Sequence, residues 1–417
     1  MENNISSDAF VNGNGKVHLS EPFFISPKQL PYEFNKFFYI EILNLLVNVF
    51  ENVIVLPELK VKRLFTVTAD GFSNMTATAG KDGILSTTLV KTYTEFIFKD
   101  VTYFADMFFE TDRNGRMRYY LTFSHEEKAT PDVNVGFELL SMAFRNTSAY
   151  KSGCVEICFY GERPAISCLD ISSVTPPTGD LDKIFINANI KECISRFMYT
   201  FENYDTLKTP LKYLLSGKPG LGKTEIIRAV IERCSKHGLV MIPTEMNGAE
   251  FLLFKFGNLF SPALLCIDDI DLTLGSREGA YNRKALGTFL SALDGIIPNQ
   301  VFILATTNDK KLVDIAASRP GRFDEIIDFG DFDKAFYLDL IRQRTDDERI
   351  IELFDENILA NMDAKKVSGA FIVNLVKQLK IMIKMNPDFS GRDLANYLNS
   401  SYKGFYKNQT EEKVLGF

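Results

Sequence analysis

One glycine-rich stretch of this chain has residue types and spacing suited to holding phosphate groups. Residues 217–224 read Gly-Lys-Pro-Gly-Leu-Gly-Lys-Thr, which fits the pattern G-x-x-x-x-G-K-[ST] at every fixed position. Its glycines let the backbone curl so that successive N–H groups face inward toward an anion. Lys223 would reach the β- and γ-phosphates of a nucleoside triphosphate, and the Thr224 hydroxyl would be a ligand of Mg²⁺. The residues assigned to phosphate binding are Gly217, Lys218, Pro219, Gly220, Leu221, Gly222, Lys223, Thr224 and Glu225.

The elements on either side of this stretch suit that chemistry. The apolar run Tyr213–Leu215 predicts a buried strand before it, and Glu225–Arg233 has the spacing and propensities of a helix after it. Such a helix presents its positive N-terminus to the same point as the curled loop. An ordinary glycine-rich turn is the alternative, but residue types, spacing and flanks together favour the phosphate site.

Polar residues follow two later apolar runs. The run Ala263–Ile267 is followed by Asp268 and Asp269, so a buried strand would present two carboxylates at its tip, beside the phosphates. Asp268 would hold Mg²⁺ through water, and Asp269 would polarise the water that attacks the γ-phosphate. The run Val301–Thr307 ends at Asn308, which could orient the same water; a plain strand-ending asparagine is the alternative.

Two arginines lie on a tight Pro-Gly turn, in the sequence Ser-Arg-Pro-Gly-Arg-Phe-Asp at 318–324. Asp324 could satisfy one guanidinium but hardly both, so we expect Arg319 or Arg322 to seek a phosphate. The chain's own site lies too far round the predicted sheet. A neighbouring subunit's nucleotide is therefore the expected target.

Five blocks of sequence together resemble an AAA-type ATPase, in the order of that family. They are Gly217–Thr224, Cys266–Asp271, Phe289–Gly295, Ala305–Asn308 and Ser318–Asp324. The likeness covers residues 185–412 and extends more faintly into 116–185. Within the family, the chain most resembles the mitochondrial chaperone that translocates the folded Rieske iron–sulfur protein, together with its soluble relatives.

The resemblance implies an ATP hydrolase that requires Mg²⁺ and forms a homo-oligomeric ring, hexameric or heptameric. Such a ring would remodel, translocate or disassemble a protein client. The resemblance makes Lys223 and Thr224 the phosphate-loop pair, Asp268 the metal carboxylate, Asn308 the first sensor, and Arg319 and Arg322 the fingers that act on the adjacent protomer. Val367–Leu375 resembles the second-sensor helix of the lid.

The chain departs from the family pattern in several places. The family usually has Glu at the position of Asp269, and the shorter side chain is a reason to expect slower hydrolysis, by an amount that geometry decides. Phe254–Gly257 could imitate an aromatic pore loop but is interpreted as helix, which puts threading of unfolded chains in doubt. Gly275–Asn282 is then the better pore-facing segment. Phe371 stands where the second sensor often has Asp, and the membrane span of the mitochondrial relative has no counterpart.

The predicted fold is α/β: an AAA-type P-loop αβα core with a parallel sheet, a small C-terminal helical lid, and a preceding α+β domain. Residues 1–175 are assigned to the N-terminal domain, which would bind a client or partner, residues 186–334 to the ATPase core, and residues 335–417 to the lid. The first boundary is placed here because the segment 172–180 contains Pro-Pro and Gly, which end regular structure.

Alternating β-branched and aromatic residues predict strands in the N-terminal domain. The predicted strands are 61–68, 95–98, 117–123 and 154–160, with a helix at 135–145 and a turn at 112–115. After the boundary, the predicted helix 186–198 leads to Tyr204, and both are expected to pack beside the nucleotide base.

Residues 37–50 are the most apolar stretch of the chain. Glu41, Asn44, Asn48 and Glu51 draw a polar stripe along it at helical spacing. The stripe indicates an amphipathic helix docked on its own domain rather than a membrane span; interfacial membrane binding is the alternative. The N-terminus has neither the basic flank nor the apolar core of a signal peptide.

The six cysteines include no C-x-x-C pair. Cys154, Cys158 and Cys168 could form a metal site, but small buried hydrophobes are the favoured interpretation. A reducing intracellular compartment, the cytoplasm, follows as the expected location.

The net charge of −7 gives no sign of a basic surface. A nucleic-acid partner is therefore less expected, although it is not excluded. Three functions therefore stay open: a protein-remodelling ATPase, a DNA-directed ATPase or loader, and a slow nucleotide-gated scaffold, which the short Asp269 side chain suggests.

Overall fold

The computed structural model describes most of the chain from residue 36 onward and short pieces before it. The described residues are 11–12, 16–17, 32–34, 36–68, 71–73, 89–111, 117–125, 133–159, 169–245, 250–260, 262–270, 289–290, 293, 300–308, 321–332 and 334–401. Of the predicted features, Arg319, Cys168, the turn at 112–115 and the segment Gly275–Asn282 lie outside these residues.

The secondary structure is a series of strands followed by alternating strands and helices. The strands are β1 Val11–Asn12, β2 Lys16–Val17, β3 Tyr32–Phe34, β4 Leu59–Thr68, β5 Gly71–Ser73, β6 Leu89–Phe98, β7 Val101–Thr111, β8 Met117–His125, β9 Gly153–Phe159, β10 Leu169–Val174, β11 Lys212–Gly217, β12 Leu239–Glu245, β13 Ala263–Ile267, β14 Val301–Thr307 and β15 Glu325–Phe329. The helices are α1 Lys36–Phe50, α2 Val133–Asn146, α3 Ala188–Glu202, α4 Tyr204–Leu207, α5 Lys223–Cys234, α6 Glu250–Gly257, α7 Lys334–Arg344, α8 Glu348–Glu352, α9 Glu356–Ala364 and α10 Gly369–Met385.

One part of the chain, called here the larger unit, is built around a seven-stranded sheet with its flanking helices. The strand order of this sheet is β10-β9-β12-β13-β14-β11-β15. Neighbouring strands run parallel from β9 to β15, and β10 alone pairs antiparallel within this sheet. Every residue of β13 and β14 is buried, as expected of parallel strands covered on both faces. The predicted α/β fold with a parallel sheet is confirmed.

The sheet crosses the domain boundary that the sequence indicated. Strands β9 and β10 fall within residues 1–175, yet β9 pairs in parallel with β12, from Gly153 beside Leu239 onward. The predicted strand 154–160 corresponds to β9, whereas β10 was not predicted; an alternating pattern indicates a strand but not which sheet it joins. The division at 175 stays a prediction, but it separates β9 from β12, to which β9 is hydrogen-bonded.

A second sheet, of six antiparallel strands, has the order β3-β8-β7-β6-β4-β5. Helices α1 and α2 pack against each other, and α1 also packs on β4 and β8. Four aromatic rings continue this core into the larger unit: Phe38 and Phe144 contact Phe256, at centroid distances of 5.9 and 6.2 Å, and Phe144 stacks on Phe260 at 4.1 Å. The two sheets therefore share one hydrophobic core.

Helix α1 confirms the helix predicted over residues 37–50, but the three residues of the polar stripe that lie within α1 do not face solvent, whereas Glu51, directly after the helix, is exposed. Glu41 is 5 % exposed, and Asn44 and Asn48 are half-buried. The Asn44 amide lies against the carbonyl of Thr147, just after α2, because α2 covers the side of α1 that carries the stripe. No helix among the described residues is long and apolar enough to span a membrane.

The helices after β15 form a separate core of their own. Its largest members include Tyr337, Phe354 and Phe371, contributed by α7, by the segment after α8, and by α10. Residues 391–401 add a final helical segment to this lid. Aromatic contacts of Phe332 with Phe336 and of Phe336 with Phe185 link the lid to the segment that precedes α3.

Candidate functional site

The phosphate loop connects the C-terminal end of β11 to the first residue of α5. Gly220 and Gly222 have φ angles of 79° and 98°, a left-handed backbone that other residues adopt only at a cost. Helix α5 begins at Lys223, so its unpaired N–H groups open toward the loop. The predicted order of strand, loop and helix is therefore present, with the backbone curl that an anion site needs.

Lys223 lies inside the loop rather than on the protein surface. Its side chain is buried, and Nζ donates to the carbonyls of Gly217 and Lys218, at 2.6 and 2.9 Å. The same nitrogen donates to Oδ1 of Asn308, at 2.7 Å. The ammonium group is thus held between the loop and the tip of β14, where it would meet phosphate oxygens.

Asp268 and Asp269 follow β13 directly and lie beside the start of α5. The Thr224 hydroxyl donates to Oδ2 of Asp268 at 2.9 Å, and Nδ2 of Asn308 donates to Oδ1 of Asp269 at 2.8 Å. Asp269 has a φ of 48°, a left-handed conformation for which aspartate is one of the more tolerant residues. Five of the residues that the sequence singled out, from Lys223 to Asn308, are therefore brought together.

The donor set fits a magnesium ion. Thr224 offers a hydroxyl oxygen and Asp268 a carboxylate oxygen, 2.9 Å apart, and Mg²⁺ prefers such oxygen ligands. Both groups lie at the loop where the phosphates would bind, so a cation there would contact protein and nucleotide together.

A cavity of about 630 Å³ opens in front of the phosphate loop and extends under the lid. From the core, it is lined by Ile184, Phe185, Pro219, Gly220, Leu221, Gly222, Lys223, Thr224, Glu225, Asp269 and Asn308. From the lid side, it is lined by Phe332, Leu340, Arg344, Gly369, Ala370, Val373, Asn374 and Lys377. Its size and its mixture of apolar walls and polar groups suit a nucleotide.

The expected base-binding residue is in a different place. Tyr204 does not line the cavity; it is buried against Phe302, with ring centroids 5.7 Å apart. The lead-in residues Ile184 and Phe185 line the cavity instead. Tyr204 packs inward because α3 and α4 cover one face of the sheet, which buries their aromatic side chains.

The lid contributes residues to the cavity that the sequence analysis did not assign. Ala370, Asn374 and Lys377 recur at helical spacing along α10, and Arg344 ends α7. The helical period after Ala370 was the available signal. Phe371 packs in the lid core instead, and its amide donates to Oγ of Ser368, the N-cap of α10.

Two contacts join the phosphate loop to the lid side of the cavity. The amide of Ala370 donates to the carbonyl of Gly220, at 3.1 Å. Lys218, which the sequence assigned to phosphate binding, donates to both carboxylate oxygens of Asp331, at 2.7 and 2.9 Å. Asp331 lies between β15 and α7, so the Lys218 side chain leans toward the lid linker rather than into the cavity.

The arginine turn lies at the opposite end of the sheet. Asp324 accepts from the amide of Lys212, the first residue of β11, at 2.7 Å, and Nζ of Lys212 donates to the carbonyl of Gly321, at 3.1 Å. The phosphate loop begins at the other end of β11, about 16 Å away at ~3.3 Å per residue. Arg322, within this turn, is 6 % exposed.

Comparison with known protein families identifies a domain within the part of the chain that contains the seven-stranded sheet. Residues 213–331 match the model of the "ATPase family associated with various cellular activities (AAA)". The chain therefore contains an AAA ATPase domain, whose nucleotide is ATP and whose metal is Mg²⁺. The nearer likeness to the Rieske-protein translocase stays a prediction.

Two relatives and one solved structure illustrate the similarity. The mitochondrial inner membrane i-AAA protease supercomplex subunit YME1 of Saccharomyces cerevisiae is 30 % identical over 203 residues, which are 43 % of this chain and 27 % of that protein. A 26S proteasome regulatory subunit 4 homolog of Encephalitozoon cuniculi is 24 % identical over 308 residues, 64 % of this chain and 72 % of that protein.

The solved structure, described as the structural basis for katanin self-assembly, is 26 % identical and covers 50 % of this chain and 72 % of that one. Its TM-score of 0.37 is too low to support a statement about fold. The match to YME1 spans about a quarter of that protein's length.

Proposed function

We propose that the chain hydrolyses ATP with Mg²⁺ and uses the energy to remodel a protein client, as a homo-oligomeric ring. The observation that carries the proposal is the convergence of five residues at one end of the sheet: Lys223, Thr224, Asp269 and Asn308 line one cavity, and Asp268 is hydrogen-bonded to Thr224 beside it. These groups supply the parts that phosphoryl transfer to water requires.

Each residue has a task that follows from its contacts. Loop amides and Lys223 would hold the β- and γ-phosphates. Magnesium, when bound at Thr224 and Asp268, would neutralise charge on the phosphate oxygens. The Asp269 carboxylate would accept a hydrogen bond from the attacking water, and Asn308 would orient that carboxylate. Asn308 also contacts Lys223, so a displacement of Lys223 by phosphate would reach Asp269 through one side chain.

The position of the arginine turn supports a ring. The turn that contains Arg322 contacts the first residue of β11 and the phosphate loop follows the last, so Arg322 is not placed to serve the chain's own site. A second subunit could bring its nucleotide to this end of the sheet. Because Arg322 is largely buried, its guanidinium would have to turn outward to act there. A trans arginine raises phosphoryl-transfer rates by roughly 10³ to 10⁵.

The protein client rests on the relatives. One is named as a subunit of a protease supercomplex and another as a proteasome regulatory subunit homolog, so both names place the relative in a protein-degrading assembly. We propose a protein client for this chain on that ground. The proposed cytoplasmic location rests instead on the free cysteines, which are typical of a reducing compartment.

The first experiment measures ATP turnover across a series of protein concentrations, with mass photometry on the same samples. We expect specific activity to rise as rings form. Lys223→Ala should abolish turnover, and Arg319→Ala or Arg322→Ala should abolish it while rings persist; Arg322→Lys repeats the test if Arg322→Ala fails to fold. Lys151→Ala and Arg342→Ala, both at exposed positions, serve as matched controls. Turnover that is independent of concentration and of both arginines would contradict the ring mechanism.

A slow nucleotide-gated scaffold is the second candidate, and one observation favours it. Asp269 has a short side chain and a left-handed backbone conformation, and its carboxylate already accepts a hydrogen bond from Asn308. If ATP binds and rings form but turnover stays near zero, and Asp269→Glu restores it, the scaffold is the better description. Asp269→Asn, which keeps the size and removes the charge, is the control for a catalytic carboxylate.

A further inference from the structure

Strands β13 and β14 run side by side in register, which places a threonine next to the metal-binding carboxylate. Cys266 pairs with Leu304 and Ile267 with Ala305, so the next position in register sets Thr306 beside Asp268. Thr306 is fully buried, with 0 % of its surface exposed. Of the residues at the tip of this strand, Asn308 alone was predicted to have a role.

The Thr306 hydroxyl makes two hydrogen bonds whose directions are fixed. The amide of Asp269 can only donate, and it lies 2.8 Å from Oγ1 of Thr306. An ionised carboxylate can only accept, so the Oγ1 hydroxyl donates a hydrogen bond to Oδ1 of Asp268, at 2.6 Å. One hydroxyl therefore holds the side chain of Asp268 and the backbone of Asp269 at the same time.

Two further hydrogen bonds to the two acids come from other residues of the site. Oδ2 of Asp268 accepts from Thr224, and Oδ1 of Asp269 accepts from Asn308. Thr306 lies within β14 and Asn308 directly after its end, and both side chains contact the pair of acids. Asn308 fixes the side chain of Asp269, whereas Thr306 fixes its left-handed backbone, at a φ of 48°.

We propose that Thr306 is a positioning residue for the divalent-cation site: its hydroxyl orients the Asp268 carboxylate and locks the backbone turn that carries Asp269. The inference rests on the proposed function to the extent that the site binds Mg²⁺ with ATP. Without the hydroxyl, Oδ1 of Asp268 and the amide of Asp269 lose this hydrogen bond, and the carboxylate is held less firmly in its orientation. Partners of this kind typically change metal affinity or activity by 10- to 100-fold when they are removed.

The test measures binding of a fluorescent ATP analogue while Mg²⁺ is titrated, and again in EDTA. Thr306→Val keeps the size of the side chain and removes the hydroxyl, and Thr306→Ser restores the hydroxyl. We expect Thr306→Val to raise the Mg²⁺ concentration for half-maximal binding by about 10- to 100-fold. Binding in EDTA should stay unchanged, and Thr306→Ser should behave like the unmodified protein. Thr306→Ala replaces Thr306→Val if the latter does not fold.

The matched control is Thr200→Val. Thr200 is another buried threonine, on α3, whose hydroxyl donates to the carbonyl of Arg196 at 2.8 Å, away from the cavity. Equal losses with Mg²⁺ and in EDTA, or an unchanged Mg²⁺ titration for Thr306→Val, would overturn the proposal. Absence of Mg²⁺-dependent binding in the unmodified protein would overturn it together with the proposed function. A shifted Mg²⁺ titration in a protein that turns over no ATP would support Thr306 and contradict hydrolysis alone.

Discussion

The amide of Ala370 donates to the carbonyl of Gly220 across 3.1 Å, and this bond ties the first turn of the lid helix α10 directly to the phosphate loop. The approach leaves no room for a side chain at residue 220. A Cβ there would lie 2.9 Å from Oγ of Ser368 and 3.1 Å from Cβ of Ala370. The lid can therefore dock on the loop only because residue 220 is glycine.

Gly220→Ala should undock the lid from the loop. The substitution introduces the backbone strain of a positive φ, roughly 1–2 kcal/mol, and it also pushes on Ser368 and Ala370. We expect amide hydrogen exchange in the first turn of α10 to rise about tenfold, as ~1.4 kcal/mol of docking energy is lost. Gly222→Ala is the matched control, because its φ is also positive but its Cβ meets only Cγ2 of Ile186, at 3.9 Å. Equal exchange in both variants would show that strain, not the clash, is responsible.

Breaking the ion pair between Lys218 and Asp331 should affect turnover more than stability. The lysine is 59 % exposed and the aspartate 33 %, so the pair stabilises the fold by less than about 1 kcal/mol. It nevertheless links the phosphate loop to the segment before the lid. We expect Asp331→Asn to lower ATP turnover by about 2- to 30-fold, the range of typical coupling effects.

The exchanged pair, Lys218→Asp with Asp331→Lys, should recover part of that turnover because it restores the attraction. Asp328→Asn changes an exposed aspartate on the neighbouring strand β15 and should have no effect. If Asp328→Asn lowered turnover by the same amount, the loss in Asp331→Asn could not be attributed to the contact between the phosphate loop and the lid.

Glu41 should make the protein less stable as the pH rises. Burial raises the pKa of this carboxyl group to about 7, against a small lowering effect of its hydrogen bond with Ser148. The proton is bound in both folded and unfolded chains below pH 4.5, so no penalty applies there. Between pH 4.5 and about 7 the folded chain holds the proton more tightly, and stability falls with pH by roughly 3 kcal/mol in all.

Glu41→Gln should remove this pH dependence. Urea unfolding at pH 8 should show the variant to be more stable than the parent, whereas at pH 4.5 the two should be similar. Glu51→Gln, at the exposed residue directly after the end of α1, is the matched control and should leave both values unchanged. A variant that is destabilised equally at both pH values would instead indicate a packing role for Glu41.

Phe256→Ala should weaken the join between the two sheets. The ring contacts Phe38, Phe144 and Phe260, and it is 4 % exposed. Truncation of a buried phenylalanine costs about 3–5 kcal/mol. We expect thermal unfolding to shift to lower temperature and the shared core to open. Phe50→Ala, at a ring that is 41 % exposed, should change stability far less.

The parts of the site that are formed by short sequence motifs could be predicted from the sequence. The loop 217–224 and the acids after β13 are recognisable because a phosphate site needs certain residue types at fixed spacing, and the structure brings them together. The role of Lys218 was not predictable in this way. Its partner Asp331 is 113 residues away, and no local pattern connects the two.

For the fold, too, features that depend on neighbouring residues were predictable, and contacts between distant segments were not. Strand and helix patterns located β9, α2 and α5, but not the sheet that β9 joins, since pairing depends on the partner's edge. Tyr204 was wrongly placed beside the base because helical spacing does not say which neighbour covers a side chain. Glu41 is buried for the corresponding reason: α2 packs over it.

The aromatic cluster of Phe38, Phe144, Phe256 and Phe260 has a mechanical consequence. Close-packed interiors resist compression and transmit strain, so a core shared by two sheets behaves as one stiff body. The antiparallel sheet would then act as a lever arm fixed to the nucleotide-binding sheet, and a small tilt of that sheet would become a larger displacement at the arm's far end.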